Sequence, residues 1–214
     1  MIDLLELPKN SDRQKLRDAT DEPVVVEVAD FDTSDVKKFR EQFRKARKTD
    51  QPVIPIMIDS FGGSVYGLSS MLSLIDHSDK PVATIVTGHA MSAGAVLLSA
   101  GNEGLRYADP HATIMIHEIS GFAGGKFNDV KILTSHMKKL NQNLLERMSR
   151  NIGKSKDHIK KLVSKQGHGD LFLSAKKAKR LNLVNHLRVP TMGTKIVKTH
   201  LFDGKVCNPG NKSL

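Results

Sequence analysis

At 214 residues and 39% apolar content, the chain is long enough for one domain with its own core and too short to make several. Its formal net charge of +10 comes from dispersed lysines and arginines without aromatic-interleaved or groove-reading motifs, which favours a solvated basic surface over a nucleic-acid site. The apolar runs are five or six residues long, against the roughly 20 that cross a bilayer, so no membrane span is expected.

Residues 1–22 are polar and charged with no sustained period and read as an N-terminal arm. They lack the basic start and apolar middle of a secretory signal, so a cytoplasmic protein is expected. The folded domain is expected over 23–189. Val24–Val28 is a β-branched run, and Asp32-Thr-Ser-Asp35 offers caps for a helix with Val36, Phe39, Phe43 and Ala46 on one face. A second run, Val53–Ile58, leads through Asp59-Ser-Phe-Gly-Gly63 to Leu68, Met71, Leu72 and Ile75 at helical spacing. A third, Val82–Val86, meets Thr87-Gly88 and the small residues Ala90-Met-Ser-Ala-Gly-Ala95 before another apolar helix. Strands alternating with helices at this spacing predict the α/β class, with parallel pairing.

From Phe127 to Asn151 the spacing of Val130, Leu133, Met137, Leu140, Leu144 and Met148 predicts a long amphipathic helix. Two shorter helices are expected over 155–163 and 174–181, then a last strand over 183–189 and a tail over 190–214. The single cysteine, Cys207, permits no intrachain disulfide, and no Cys/His spacing fits a zinc site, so no metal is implied.

A serine hydroxyl becomes a nucleophile when a base takes its proton, and the oxyanion that follows needs backbone N–H donors. Ser92, between Gly88 and Gly94 at a strand-to-helix junction, and His117, closing Thr113-Ile-Met-Ile, could supply the first two. Each alone has a plainer reading, a helix cap for the serine and a structural or solvated imidazole for the histidine.

Over residues 23–189 the sequence resembles the Clp peptidase family, collinearly and almost without gaps. Asp59-Ser-Phe-Gly-Gly63 is similar to the family's Asn-Ser-Pro-Gly-Gly turn, and Gly88-His-Ala-Met-Ser-Ala-Gly-Ala95 to its Gly-Gln-Ala-Ala-Ser-Met-Gly-Ala segment. Arg106-Tyr-Ala-Asp-Pro110 and Met115-Ile-His117 resemble its Arg-Tyr-Ala-x-Pro and Met-Ile-His runs, and Phe172-Leu-Ser-Ala175 followed by Ala178 resembles its C-terminal signature. Ser92 and His117 stand 25 residues apart, the family's interval.

The resemblance implies the Clp protease/crotonase-like fold of repeated β-β-α units, with the helix at 127–151 as a protruding handle that interlocks stacked rings of seven subunits. It implies a serine endopeptidase with Ser92 as nucleophile, His117 as base, and the N–H groups of Gly63 and Ala93 as oxyanion donors. Gly121-Phe-Ala-Gly-Gly125, through Gly124 and Gly125, matches the strand along which a substrate peptide lies. Gln166 stands where the family has its catalytic aspartate. Asp170, the nearest carboxylate, matches a second family aspartate outside the triad, so the third member stays open. The implied partners are copies of this chain, an AAA+ unfoldase and polypeptide substrates. No cofactor is implied for this chain, since ATP belongs to the unfoldase, and the setting would be bacterial, plastid stroma or a virus-infected host cell. Three rivals are an inactive subunit of a mixed ring, a crotonase-fold acyl-CoA enzyme and a basic nucleic-acid-binding module.

Overall fold

A computed structural model describes residues 23–121, 124–167, 169–193, 200–202 and 205–207; the arm read over 1–22, with Phe122, Ala123 and His168, lies outside the described residues. Residues 24–190 fold as one unit around a seven-stranded sheet. β1 (Val26–Val28), β2 (Ile54–Ser60), β3 (Val82–Met91), β4 (Arg106–Ala108) and β7 (His186–Leu187) follow one another in that order, all paired parallel. β5 (Thr113–Ile116) pairs parallel with β3 and antiparallel with β6 (Leu171–Ser174). The α/β class expected from the alternation of elements is the class adopted.

Local chemistry explains most of the helices. In α1 (Thr33–Lys48) the Asp32 side chain accepts the Asp35 N–H, and Val36, Phe39, Phe43 and Ala46 are buried, as their spacing predicts. Ser64 caps α2 (Val65–Asp76), which buries Leu68, Met71, Leu72 and Ile75. All seven residues of α3 (Ala93–Ser99) are buried, which suits a helix apolar on every side. α4 (Phe127–Asn151) spans the predicted range, yet only Leu145, Met148 and Ser149 in its last third are fully buried. Near its start Phe127 and Ile132 are 81% and 69% exposed.

Three expectations need correcting. The helix read over 155–163 is α5 (His158–Lys165), because its buried apolar pair is Ile159 and Val163. α6 (Ala175–Arg180) lies within the range read as a helix and is capped by Ser174, but the strand read over 183–189 shrinks to His186–Leu187. The cause is the end of α6: Asn182 takes φ +62°, its N–H donates to Lys179 O at 3.0 Å, and Leu183 N–H donates back to Ala178 O at 2.9 Å. That closure buries Leu183 and Val184 instead of extending them. The segment read as tail contains two strands, β8 (His200–Phe202) and β9 (Lys205–Cys207), paired antiparallel.

A buried cation ties the far side of the sheet to the helices. Arg106, on β4, is 1% exposed and donates to the carbonyls of Gly101 and Asn182 at 3.0 Å each and to Glu103 Oε2 at 2.8 Å. That last hydrogen bond holds the Glu103 carboxyl below its ordinary range.

Candidate active site

β3 changes neighbours along its length. Thr84–Val86 pairs with β4, and His89–Met91 pairs with β5. Ser92 prolongs the second pairing, its N–H donating to Met115 O at 2.9 Å, and the chain then turns into α3. The turn puts Ser92 at φ +52°, ψ −117°, a conformation that costs a residue with a side chain on the order of 1–3 kcal/mol. Its hydroxyl makes no capping bond to α3 and instead meets His117 Nε2 at 2.7 Å. The two residues that the sequence analysis paired are thus in hydrogen-bond contact.

Gly62 leaves the room that Ser92 occupies. It adopts φ +104°, and a Cβ there would lie 2.6 Å from Ser92 Cβ and 2.9 Å from Met91 O. Gly63 and Ala93 line the same small cavity as Ser92 and His117, with Ile116, Leu144 and Met148 among its apolar walls. Among the described residues, neither the Gly63 nor the Ala93 N–H has an acceptor. A wider cleft between α2 and α4, where Arg147 pairs with Asp76, contains neither Ser92 nor His117, so size does not mark the site.

His117 follows directly on β5. The antiparallel register of β5 with β6 pairs Ile116 with Leu171, and one step further His117 faces Asp170. Asp170 Oδ1 lies 3.6 Å from His117 Nδ1. Gln166 closes the C-terminal end of α5 with its side chain exposed, and among the described residues it makes no hydrogen bond to His117. Gly124 and Gly125, expected on a substrate strand, are exposed and belong to no strand; Gly125 takes φ +119° just before α4 begins. Phe122 and Ala123, within the same expected strand, lie outside the described residues. Among the described residues no three His, Cys, Asp or Glu side chains converge as a metal site requires.

The Clp protease family model matches residues 20–190. The chain belongs to the Clp protease family. Membership implies a serine-type peptidase, in a family whose members generally form rings and partner with Clp ATPases. Within this Clp protease domain, the sequence alone left the third member open, with Gln166 at the family's aspartate position and Asp170 as the nearest carboxylate. A strand pairing brings Asp170 to His117, and a one-dimensional register carries no sign of that. Sequence reasoning also overlooked the contact between Asp59 and His89 described below, although both stand in the two turns that carry the family likeness.

Proposed function

We propose that this chain is a serine endopeptidase subunit in which Ser92 attacks the peptide carbonyl and His117 Nε2 takes its proton. The observation that carries the reading is the 2.7 Å contact between Ser92 Oγ and His117 Nε2, formed at a strained strand-to-helix turn. Gly63 and Ala93 line the same cavity, and their N–H groups, without acceptors among the described residues, would receive the oxyanion of the tetrahedral intermediate. His117 then returns the proton to the leaving amine, the acyl group stays on Ser92 Oγ, and water activated by His117 releases it. Asp170, facing Nδ1, is the proposed third member, holding the tautomer with Nε2 free and stabilising the imidazolium. The chain needs no cofactor or metal for this chemistry.

The proposed setting is a ring of copies of this chain, with protein substrates unfolded by a separate ATPase. The exposed apolar residues Phe127, Ile132 and Leu133 on α4 support self-association. The 3.6 Å gap between His117 and Asp170 favours a second reading, a subunit of low activity until that gap closes. A fluorophosphonate probe and a short fluorogenic peptide test both. Wild type should be labelled and should cleave, Ser92→Ala should do neither, and equal activity of the two would end the peptidase reading. A wild type that is labelled but cleaves slowly selects the second reading.

A further inference from the structure

We propose that Asp59 and His89 are positioning residues for the nucleophile, pinning the corner of β3 that brings Ser92 alongside the strand leading to His117. The inference rests on Ser92 being the nucleophile. β2 and β3 pair in regular parallel register from Ile54 with Val82 to Ile58 with Val86, and then Ser60 pairs with Ala90. One residue of β2, Asp59, is therefore set against three of β3, Thr87, Gly88 and His89. A bulge of this kind bends its strand and strips ladder partners from the extra residues. It falls where β3 leaves β4 for β5, so the bend decides how the His89–Met91 stretch, and Ser92 after it, lies along the strand that ends at His117.

The Asp59 carboxylate supplies what the ladder lacks. Its Oδ1 accepts the His89 backbone N–H at 3.0 Å and meets His89 Nδ1 at 2.7 Å. One oxygen thus holds both the main chain and the ring of the same residue. The approach requires a bare Cα next door, since a Cβ on Gly88 would lie 2.7 Å from that oxygen. The Phe61 ring packs on the imidazole at 4.1 Å between centroids, and His89 Nε2 is buried without a hydrogen-bond partner among the described residues. Nδ1 is therefore the ring nitrogen that anchors the side chain, and Asp59 is what it anchors to. The Clp peptidase motifs that this sequence resembles carry amides, Asn and Gln, at these two positions, which can make the same contacts without charge. What matters for positioning is therefore an acceptor at 59 and a donor at 89.

The test compares wild type, Asp59→Leu, Asp59→Asn and His89→Leu by the rate of fluorophosphonate labelling of Ser92, by kcat and KM for a short peptide, and by thermal midpoint. Displacing a reacting atom by about 1 Å costs about 10²-fold, so Asp59→Leu should lower the labelling rate and kcat by about that factor, with KM unchanged. His89→Leu should lower both in the same direction, and Asp59→Asn, which keeps an acceptor oxygen, should restore them to near the wild-type rate. If Asp59→Leu does not fold, the comparison of His89→Leu with wild type carries the test. Labelling of Asp59→Leu and His89→Leu at the wild-type rate overturns the proposal and leaves the nucleophile reading intact, as does a loss that follows the thermal midpoint and is not rescued by Asn. A wild type that is not labelled at all overturns the nucleophile reading and this inference with it.

Discussion

Replacing Asp170 by Asn keeps the side chain's shape and removes the charge that faces His117 Nδ1 at 3.6 Å. Opposite unit charges at such a distance attract by about 1 kcal/mol in bulk water and by about 4–5 kcal/mol at an effective dielectric near 20. The Asp170 and His117 side chains are 50% and 23% exposed, so solvent screening keeps the interaction in the lower part of that range, about 1–3 kcal/mol. In the proposed mechanism the imidazole gains a charge when it takes the Ser92 proton, so the loss falls on the transition state. At about 1.4 kcal/mol per tenfold, kcat/KM of Asp170→Asn should fall about 10- to 10²-fold, short of the roughly 10⁴-fold loss in kcat known for a fully buried triad aspartate. The assay is hydrolysis of a fluorogenic peptide by wild type, Asp170→Asn and Gln166→Ala. An Asp170→Asn enzyme at the wild-type rate beside an inactive Gln166→Ala would refute the reasoning from the pairing of β5 with β6.

Gly62→Ala should abolish most activity, by about 10²-fold or more, because the new Cβ would collide with Ser92 Cβ at 2.6 Å and displace Ser92, the proposed nucleophile. Denaturant titration of the same variant should show a loss of about 1–3 kcal/mol from the positive φ alone. Arg106→Met leaves the Gly101 and Asn182 carbonyls without their donor and should cost about 2–4 kcal/mol in thermal unfolding. Because the Arg106 hydrogen bond lowers the Glu103 pKa in the folded state, its contribution is complete above the ordinary value of 4.5 and is lost as the pH falls through the lower folded value. Acid titration of Glu103→Gln should lack that part of the wild-type acid limb.

Elements whose signal is local were legible in the sequence. Asp32 caps α1, Ser174 caps α6, and α4 runs over the range its apolar period predicts, because caps and stripes depend on residues a few positions apart. β3 was read to Val86 and runs to Met91, since its second half contains Gly88 and a bulge held by a side chain of β2. Asp170 gains its place from a strand pairing, and the closure after α6 turns Leu183 and Val184, two apolar residues read as the start of a strand, into core residues beside a turn. β8 and β9 flank an Asp-Gly pair in the sequence, a hairpin signal obscured by the polar composition around it. The Ser92–His117 contact was legible only through the joint spacing of both residues and their flanking turns, because neither has a local signature of chemistry.

The uneven burial of α4 bears on how the chain becomes stable. The first two thirds of this helix contributes no fully buried residue to the core, and helices draw most of their stability in water from such packing. Amide hydrogens should therefore exchange quickly from Phe127 to about Leu140 and slowly around Leu145 to Ser149 in dilute protein. Under the proposed self-association, protection of the first segment should rise with protein concentration, the later turns belonging to the folding of one chain and the earlier ones to mass action between chains.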